Sequence, residues 1–269
     1  MTPELKTVHA AGIRFGVVDE GSGPCVLFVH GFPLDHGMWR PQIDALCDSH
    51  RVIVPDLRGF GATDTTEGTV TMERFADDLA ELLDALGVRE PVTLCGLSMG
   101  GYIAWQFWRR HAKRLAALVL CDTRAAPDSP EAARGRLDTA EKVLKQGRLP
   151  LVRAMIPKLF AKTTREKNAS LIEDVRRMIG RASPAGIAAA LRGMAGREDV
   201  RPFLRRIDVP TVVLVGREDE ISPVEEMRAI ADDLPHCEFV VIPNAGHMAP
   251  LENPPATNEA LTALLRRLS

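Results

Sequence analysis

The stretch CGLSMGGY, residues 95–102, sets one serine between two glycines at the end of an apolar run. Two readings fit it. In one, Ser98 is a nucleophile raised on a sharp strand-to-helix turn; in the other it is a small residue where the chain bends. The flanks bear on the choice. Residues 91–95 read as a buried strand, and YIAWQFWRRH after the turn has helical periodicity. A turn in that context holds the serine in a strained conformation and presents its hydroxyl at a helix N-terminus, where developing negative charge is favoured. Gly96 and Gly100 would remove side chains that otherwise collide with the neighbouring strand and helix. A G-x-S-x-G match alone leaves both readings open, so the rest of the chain has to decide.

Working outward, short β-branched apolar runs alternate with amphipathic helical segments. CVLFVH (25–30), RVIVPD (51–56), PVTLCG (91–96), LAALVLCD (115–122), VPTVVLVG (209–216) and CEFVVIP (237–243) suit strands buried on both faces of a parallel sheet. ELKTVHA and IRFGVVDE look like antiparallel edge strands leading into it. Between the strands, TMERFADDLAELLDALG places Phe75, Leu79, Leu82, Leu83 and Leu86 on one stripe and stops at Gly87. SPVEEMRAIADDL opens as a capping box from Ser222, with Pro223 at the first helical position and Glu225 at the third. PPATNEALTALLRRL reads as a closing helix. This alternation predicts a doubly wound α/β sheet. One region departs from it: residues 128–200 contain no strand-like run, and MIPKLFA, SLIEDVRRMIG and SPAGIAAALRGMAG read as helices. Its flanks reconnect to consecutive strands, so it is expected to be a lid over a core formed by 1–127 and 201–269.

Composition excludes several classes. The chain of 269 residues is 45% hydrophobic and 26% charged, the balance of a well-packed globule. A net charge of −2, scattered arginines and few aromatics argue against a nucleic-acid partner. MTPELKTVHAAGIRF has no apolar h-region, and no apolar run reaches the ~18 residues of a membrane span, so no membrane partner is expected. The five cysteines form no C-x-x-C, and most sit in or beside strand-like runs, as reduced thiols of a cytoplasmic protein would. The seven histidines show no H-E-x-x-H or comparable spacing, so no metal and no cofactor is expected.

A serine hydroxyl needs a base, and the base needs an acid to orient it. His247, in IPNAGHMAPLENP, follows the last strand-like run, whereas His236 precedes it and should lie at the opposite sheet edge. Catalytic groups of open α/β sheets gather outside the carboxyl ends of the strands. Asp219, in LVGREDEIS after 209–216, meets that condition and is the expected acid; Asp122, ending the run one strand earlier, is the alternative. Acyl transfer also needs donors for an oxyanion. The N–H of Met99 and the N–H of Phe32, freed by the turn at Gly31, are the candidates. Phe32, Met99, Met248 and Trp39 are the expected pocket wall.

The motifs HGFP (30–33), DLRGFG (56–61), GLSMGG (96–101), GREDEISP (216–223) and AGHMAPLENP (245–254) together resemble the α/β-hydrolase superfamily. Within it the pattern is similar to the small serine esterases that include 3-oxoadipate enol-lactonases and cofactor-free perhydrolases. The resemblance implies an eight-stranded, mostly parallel sheet with strand two antiparallel, a helical lid after strand six, and a Ser98–Asp219–His247 triad. It also implies a structural role for Arg58. Serine at 98 disfavours the dehalogenases and epoxide hydrolases of this family, which use Asp there, and Met248 disfavours its hydroxynitrile lyases, which carry Lys after the histidine. The expected function is hydrolysis of small, largely apolar carboxylic esters. A lactonase is the runner-up, with Arg124, Arg134 and Arg153 as candidate lid cations. Perhydrolase, thioesterase or C–C bond hydrolase activity and a non-catalytic receptor stand further back.

Overall fold

In the computed structural model the described residues are 4–268; residues 1–3 and 269, assigned to the core from the sequence, lie outside them. The strands are β1 (Leu5–Ala10), β2 (Ile13–Glu20), β3 (Cys25–Val29), β4 (Arg51–Pro55), β5 (Val92–Leu97), β6 (Leu115–Cys121), β7 (Thr211–Gly216) and β8 (Cys237–Ile242). They form one eight-stranded sheet in the order β1-β2-β4-β3-β5-β6-β7-β8. β2 runs antiparallel to both of its neighbours, and every later pair is parallel. The expected mostly parallel sheet with an antiparallel second strand is therefore present.

The apolar runs form central strands because both faces are covered. In β3, Leu27 and Val29 join one core cluster while Val26 and Phe28 join the other, the strand period of two. The helices α1 (Arg40–Leu46), α2 (Met72–Ala85) and α3 (Met99–His111) follow β3, β4 and β5 in the chain. Helix α2 buries Phe75, Leu79, Leu82 and Leu83 completely, as its stripe predicts, and Thr71 caps it by accepting the Arg74 N–H.

Between β6 and β7 stand five helices: α4 (Pro130–Gln146), α5 (Leu149–Leu159), α6 (Lys162–Lys167), α7 (Ala169–Arg181) and α8 (Pro184–Ala195). Sequence reading found α5, α7 and α8 but not the short α6 or α4, whose exposed, charged surface leaves only Ala140 and Val143 buried. Pro157 sits inside the last turn of α5. This insertion is tied to the sheet domain by the Val70 N–H donating to Ala189 O (3.1 Å) and the Lys162 N–H donating to Glu218 (3.0 Å). The chain closes with α9 (Val224–Asp233), α10 (Ala249–Glu252) and α11 (Pro254–Leu268). Helix α9 departs from expectation: it starts after Pro223 with no side-chain cap, because Ser222 instead turns its N–H onto Asp219. Among the described residues no helix is long and apolar enough to cross a membrane.

Candidate active site

Parallel strands bring their carboxyl ends to one edge, so the loops after β3, β5, β6, β7 and β8 share that edge. Ser98 follows β5 with φ 52° and ψ −109°, a conformation that costs a non-glycine residue about 1–3 kcal/mol. The cost is met by the surroundings. The Ser98 N–H donates to Cys121 O (2.9 Å), and Ser98 O accepts from the Thr123 hydroxyl (2.7 Å) and the Gly101 N–H (2.9 Å). The flanking glycines are sterically required. A Cβ on Gly96 would stand 2.4 Å from Gly100 O, and one on Gly100 would stand 2.3 Å from Val29 O.

The Ser98 hydroxyl faces His247 Nε2 at 2.9 Å, and His247 Nδ1 faces Asp219 Oδ2 at 2.8 Å. Because Nδ1 meets a carboxylate oxygen, it carries the ring proton, which leaves Nε2 to accept from the serine. Asp219 Oδ1 accepts the N–H groups of Ile221 (2.8 Å) and Ser222 (3.1 Å), so the loop after β7 holds the carboxylate from behind. His247 and Asp219 are 4% and 6% exposed, which keeps water from competing for these bonds. Asp122 is not the partner of His247. It is fully buried, and its Oδ1 accepts the Gly216 N–H (2.8 Å). Burial, followed by the neighbouring Asp219 charge, pushes its carboxyl well above the usual range.

The loop after β3 lies against this turn: a Cβ on Gly31 would be 3.5 Å from Ser98 Cβ. The Leu34 N–H returns to Gly31 O (2.9 Å), and no acceptor among the described residues takes the Phe32 N–H. Met99 is the first residue of α3, where an N–H has no acceptor within the helix. His30 is buried and neutral in this loop; burial lowers its pKa, and Nε2 accepts the Leu57 N–H (2.9 Å). Asp35, His36 and Asp56 form a cluster of metal-ligand type, but hydrogen bonds already engage it. Asp35 accepts from Gly37 and Arg181, and Asp56 accepts from His36 and the Ala62 N–H.

A cavity of about 360 Å³ opens over Ser98 and His247, walled by Phe32, Leu151, Met155, Leu159, Leu191, Met194 and Ile221. Its polar wall carries Tyr102, Arg124, Asp128, Arg136 and Thr139. Three expected wall residues lie elsewhere. Trp39 is fully buried with its ring 4.8 Å from that of Phe28, and the side chains of Met99 and Met248 are fully buried in the two cores. Of the expected lid cations only Arg124 reaches the cavity, paired with Glu226 (2.7 Å). Arg134 pairs with Glu131 on the surface, and Arg153 lines a separate groove between α5 and α7. Arg136, not singled out from the sequence, takes the place in the wall, paired with Asp128. Most of the wall comes from the helical insertion, whose periodicity says which face is apolar but not which part overlies the serine.

Sequence reading also passed over Glu252. Its Oε1 accepts the N–H groups of Gly246 (2.8 Å) and Met248 (3.3 Å), which flank His247, and its Oε2 accepts the Ala161 N–H (2.8 Å). Burial raises its pKa against the opposing pull of the Thr164 hydroxyl and of these three donors. The acid in HMAPLENP was the available signal. Arg58 makes a buried two-point contact with Asp78, both bonds 2.7 Å.

A family profile for the alpha/beta hydrolase fold matches residues 24–254. The chain is 30% identical to 3-oxoadipate enol-lactonase 1 of Acinetobacter baylyi over 233 residues, covering 87% of this chain and 85% of the relative. Among solved structures it is similar to a thermophilic esterase from Thermogutta terrifontis, with TM-score 0.96, 47% identity, and 98% and 99% of the two chains covered. It is also similar to an enol-lactonase from Burkholderia xenovorans LB400, with TM-score 0.90, 26% identity, and 97% and 100% covered. The order of the strands, the turn at Ser98 and these likenesses agree: the chain belongs to the α/β-hydrolase family.

Proposed function

We propose that this protein hydrolyses carboxylic esters of small, largely apolar substrates through an acyl-enzyme intermediate. The observation that carries the reading is the unbroken relay from Ser98 Oγ through His247 to Asp219, at 2.9 and 2.8 Å, in the wall of a mostly apolar cavity. Ser98 attacks the ester carbonyl as His247 Nε2 takes its proton, and Asp219 holds the ring and stabilises the imidazolium. The Phe32 and Met99 amides receive the developing oxyanion. His247 then gives its proton to the departing alcohol, and later takes one from the water that attacks the acyl group. The insertion of 128–200 serves as the lid that shapes the acyl site.

The test is hydrolysis of p-nitrophenyl acetate. Ser98→Ala abolishes turnover while circular dichroism stays that of the parent, and a phosphonate probe labels Ser98 in the parent alone. Retained turnover in Ser98→Ala refutes the reading. A second reading, a lactonase, is favoured by Arg124 and Arg136 in the wall, cations that suit a lactone carrying a carboxylate. The leaving alcohol of a lactone stays tethered, so the same residues serve. A faster kcat/KM on a carboxylate-bearing enol-lactone than on p-nitrophenyl acetate, lost in Arg136→Ala, establishes it. A reducing, cytoplasmic setting belongs to the same proposal: Cys95 and Cys121 lie buried as thiols with their sulfurs 3.9 Å apart.

A further inference from the structure

The Asp122 side chain has no place in the relay, yet it is 0% exposed directly beside it. Its backbone ties two strand ends together. At φ 47° the chain turns sharply after β6, the Asp122 N–H donates to Leu214 O (3.0 Å), and Oδ1 accepts the Gly216 N–H (2.8 Å). Gly216 O in turn accepts the Asp219 N–H (3.1 Å), so Asp122 braces the base of the loop that carries Asp219. Its second oxygen, Oδ2, is buried with no N–H or O–H donor facing it. The neighbour of this carboxyl is the carboxyl of Asp219.

Two carboxylates cannot both be ionised in such a place without a donor between them. The donors are unequally divided. Asp219 receives two backbone N–H groups and the His247 Nδ1–H, whereas Asp122 receives one backbone N–H. The single negative charge therefore resides on Asp219, where hydrogen bonds to the charged form are most numerous. A proton on Asp122 Oδ2 turns an unpartnered acceptor into a donor and removes the repulsion in one step.

We infer that Asp122 is held as the neutral acid and donates a hydrogen bond from its carboxyl to Asp219, making it a positioning residue for the carboxylate that orients His247. The inference rests on the Ser98–His247–Asp219 reading above. The ionisable groups acting on Asp122 agree in sign: Asp219 and the Cys121 thiol both disfavour a second negative charge, and only the Gly216 N–H opposes them. Cys121 is itself kept protonated by its contact with Cys95 and by burial. The device gives Asp219 a third side of support, so the carboxylate turns toward His247 without rotating away.

The test compares Asp122→Asn with Asp122→Ala. Asparagine keeps an acceptor for Gly216 and offers an N–H to Asp219; alanine keeps neither. On p-nitrophenyl acetate, Asp122→Ala lowers kcat/KM by about 10- to 100-fold, as misplacement of a catalytic group does. It also moves the acid limb of the pH profile upward, because an undamped Asp219 charge favours protonated His247. Asp122→Asn recovers most of that loss and leaves the acid limb in place. An acid limb that moves downward in Asp122→Asn, the mark of a lost negative charge, overturns the inference, as does equal behaviour of the two variants. Infrared spectroscopy supplies a readout independent of turnover. The parent shows a protonated-carboxyl C=O stretch that Asp122→Asn lacks, and absence of that band from the parent overturns the inference even where alanine fails to fold. Failure of the nucleophile reading is seen separately, as turnover in Ser98→Ala with the infrared band unchanged.

Discussion

Removing the Glu252 carboxylate is the sharpest test of how the His247 loop is held. The side chain receives three backbone N–H groups, two of them on either side of His247 and one from Ala161 at the junction of α5 and α6. Ala161 and Met248 are 1% and 0% exposed, so Glu252→Ala strands donors that water reaches poorly. A buried donor left unpaired costs about 1–3 kcal/mol. The bonds to Gly246 and Ala161, both 2.8 Å, count in full, and the 3.3 Å bond to Met248 counts little. Glu252 itself is only partly buried, so water takes up some of the loss. The expected destabilisation is about 2–4 kcal/mol in urea unfolding, with the m-value unchanged. The same change frees the peptide units flanking His247, and kcat/KM on p-nitrophenyl acetate falls about 10- to 100-fold. Glu252→Gln keeps one oxygen for the Gly246 and Met248 amides and turns its NH₂ toward Ala161. It therefore loses stability while retaining most activity. Parental stability in Glu252→Ala refutes the account of its hydrogen bonds; lost stability with parental kcat/KM refutes the claim that Glu252 positions His247.

Arg58→Met leaves the Asp78 carboxylate, 1% exposed, with Arg74 as its remaining cation, and unfolding in urea shows a loss of about 3 kcal/mol while the turnover of folded protein is unchanged. The His36–Asp56 pair makes stability depend on pH. Burial alone would lower His36, but the Asp56 hydrogen bond and charge raise it overall; burial alone would raise Asp56, but the His36 hydrogen bond and charge and the Ala62 N–H lower it overall. The raised histidine contributes fully below its unfolded value of about 6.5 and loses that contribution as pH rises through its folded value. The depressed carboxyl contributes fully above about pH 4 and loses that contribution as pH falls through its folded value. The pair is thus fully effective between about pH 4 and 6.5, and His36→Gln flattens the decline above that window in urea midpoints measured across pH. Leu159→Trp fills part of the apolar wall, so kcat/KM for a hexanoate ester falls at least about tenfold more than for an acetate ester. Equal losses on both esters place the acyl chain elsewhere.

The sequence by itself determined what depends on neighbours along the chain. Apolar runs such as 25–30 and 91–96 become strands covered on both faces, and the α2 stripe buries Phe75 and Leu79, because side-chain period and backbone geometry are locally coupled. Ser98, Asp219 and His247 were also legible, since each follows a strand and parallel strands share a carboxyl edge. Position in the chain favoured Asp219 but left Asp122 open as the alternative. Both follow strands at that edge, and it is the meeting of His247 Nδ1 with Asp219 at 2.8 Å, with Asp122 turned instead onto Gly216, that closes the choice. Trp39 and Met248 look like wall residues beside their motifs but lie in the core, while Met155, Leu159 and Arg136 of the insertion form the wall. Glu252 acquires its role from three amides, one of them 91 residues away in the chain. Such choices rest on distances and burial between segments remote in sequence. Hydrogen bonds and shared charge fall off within a few ångströms, so only the tertiary structure could decide them.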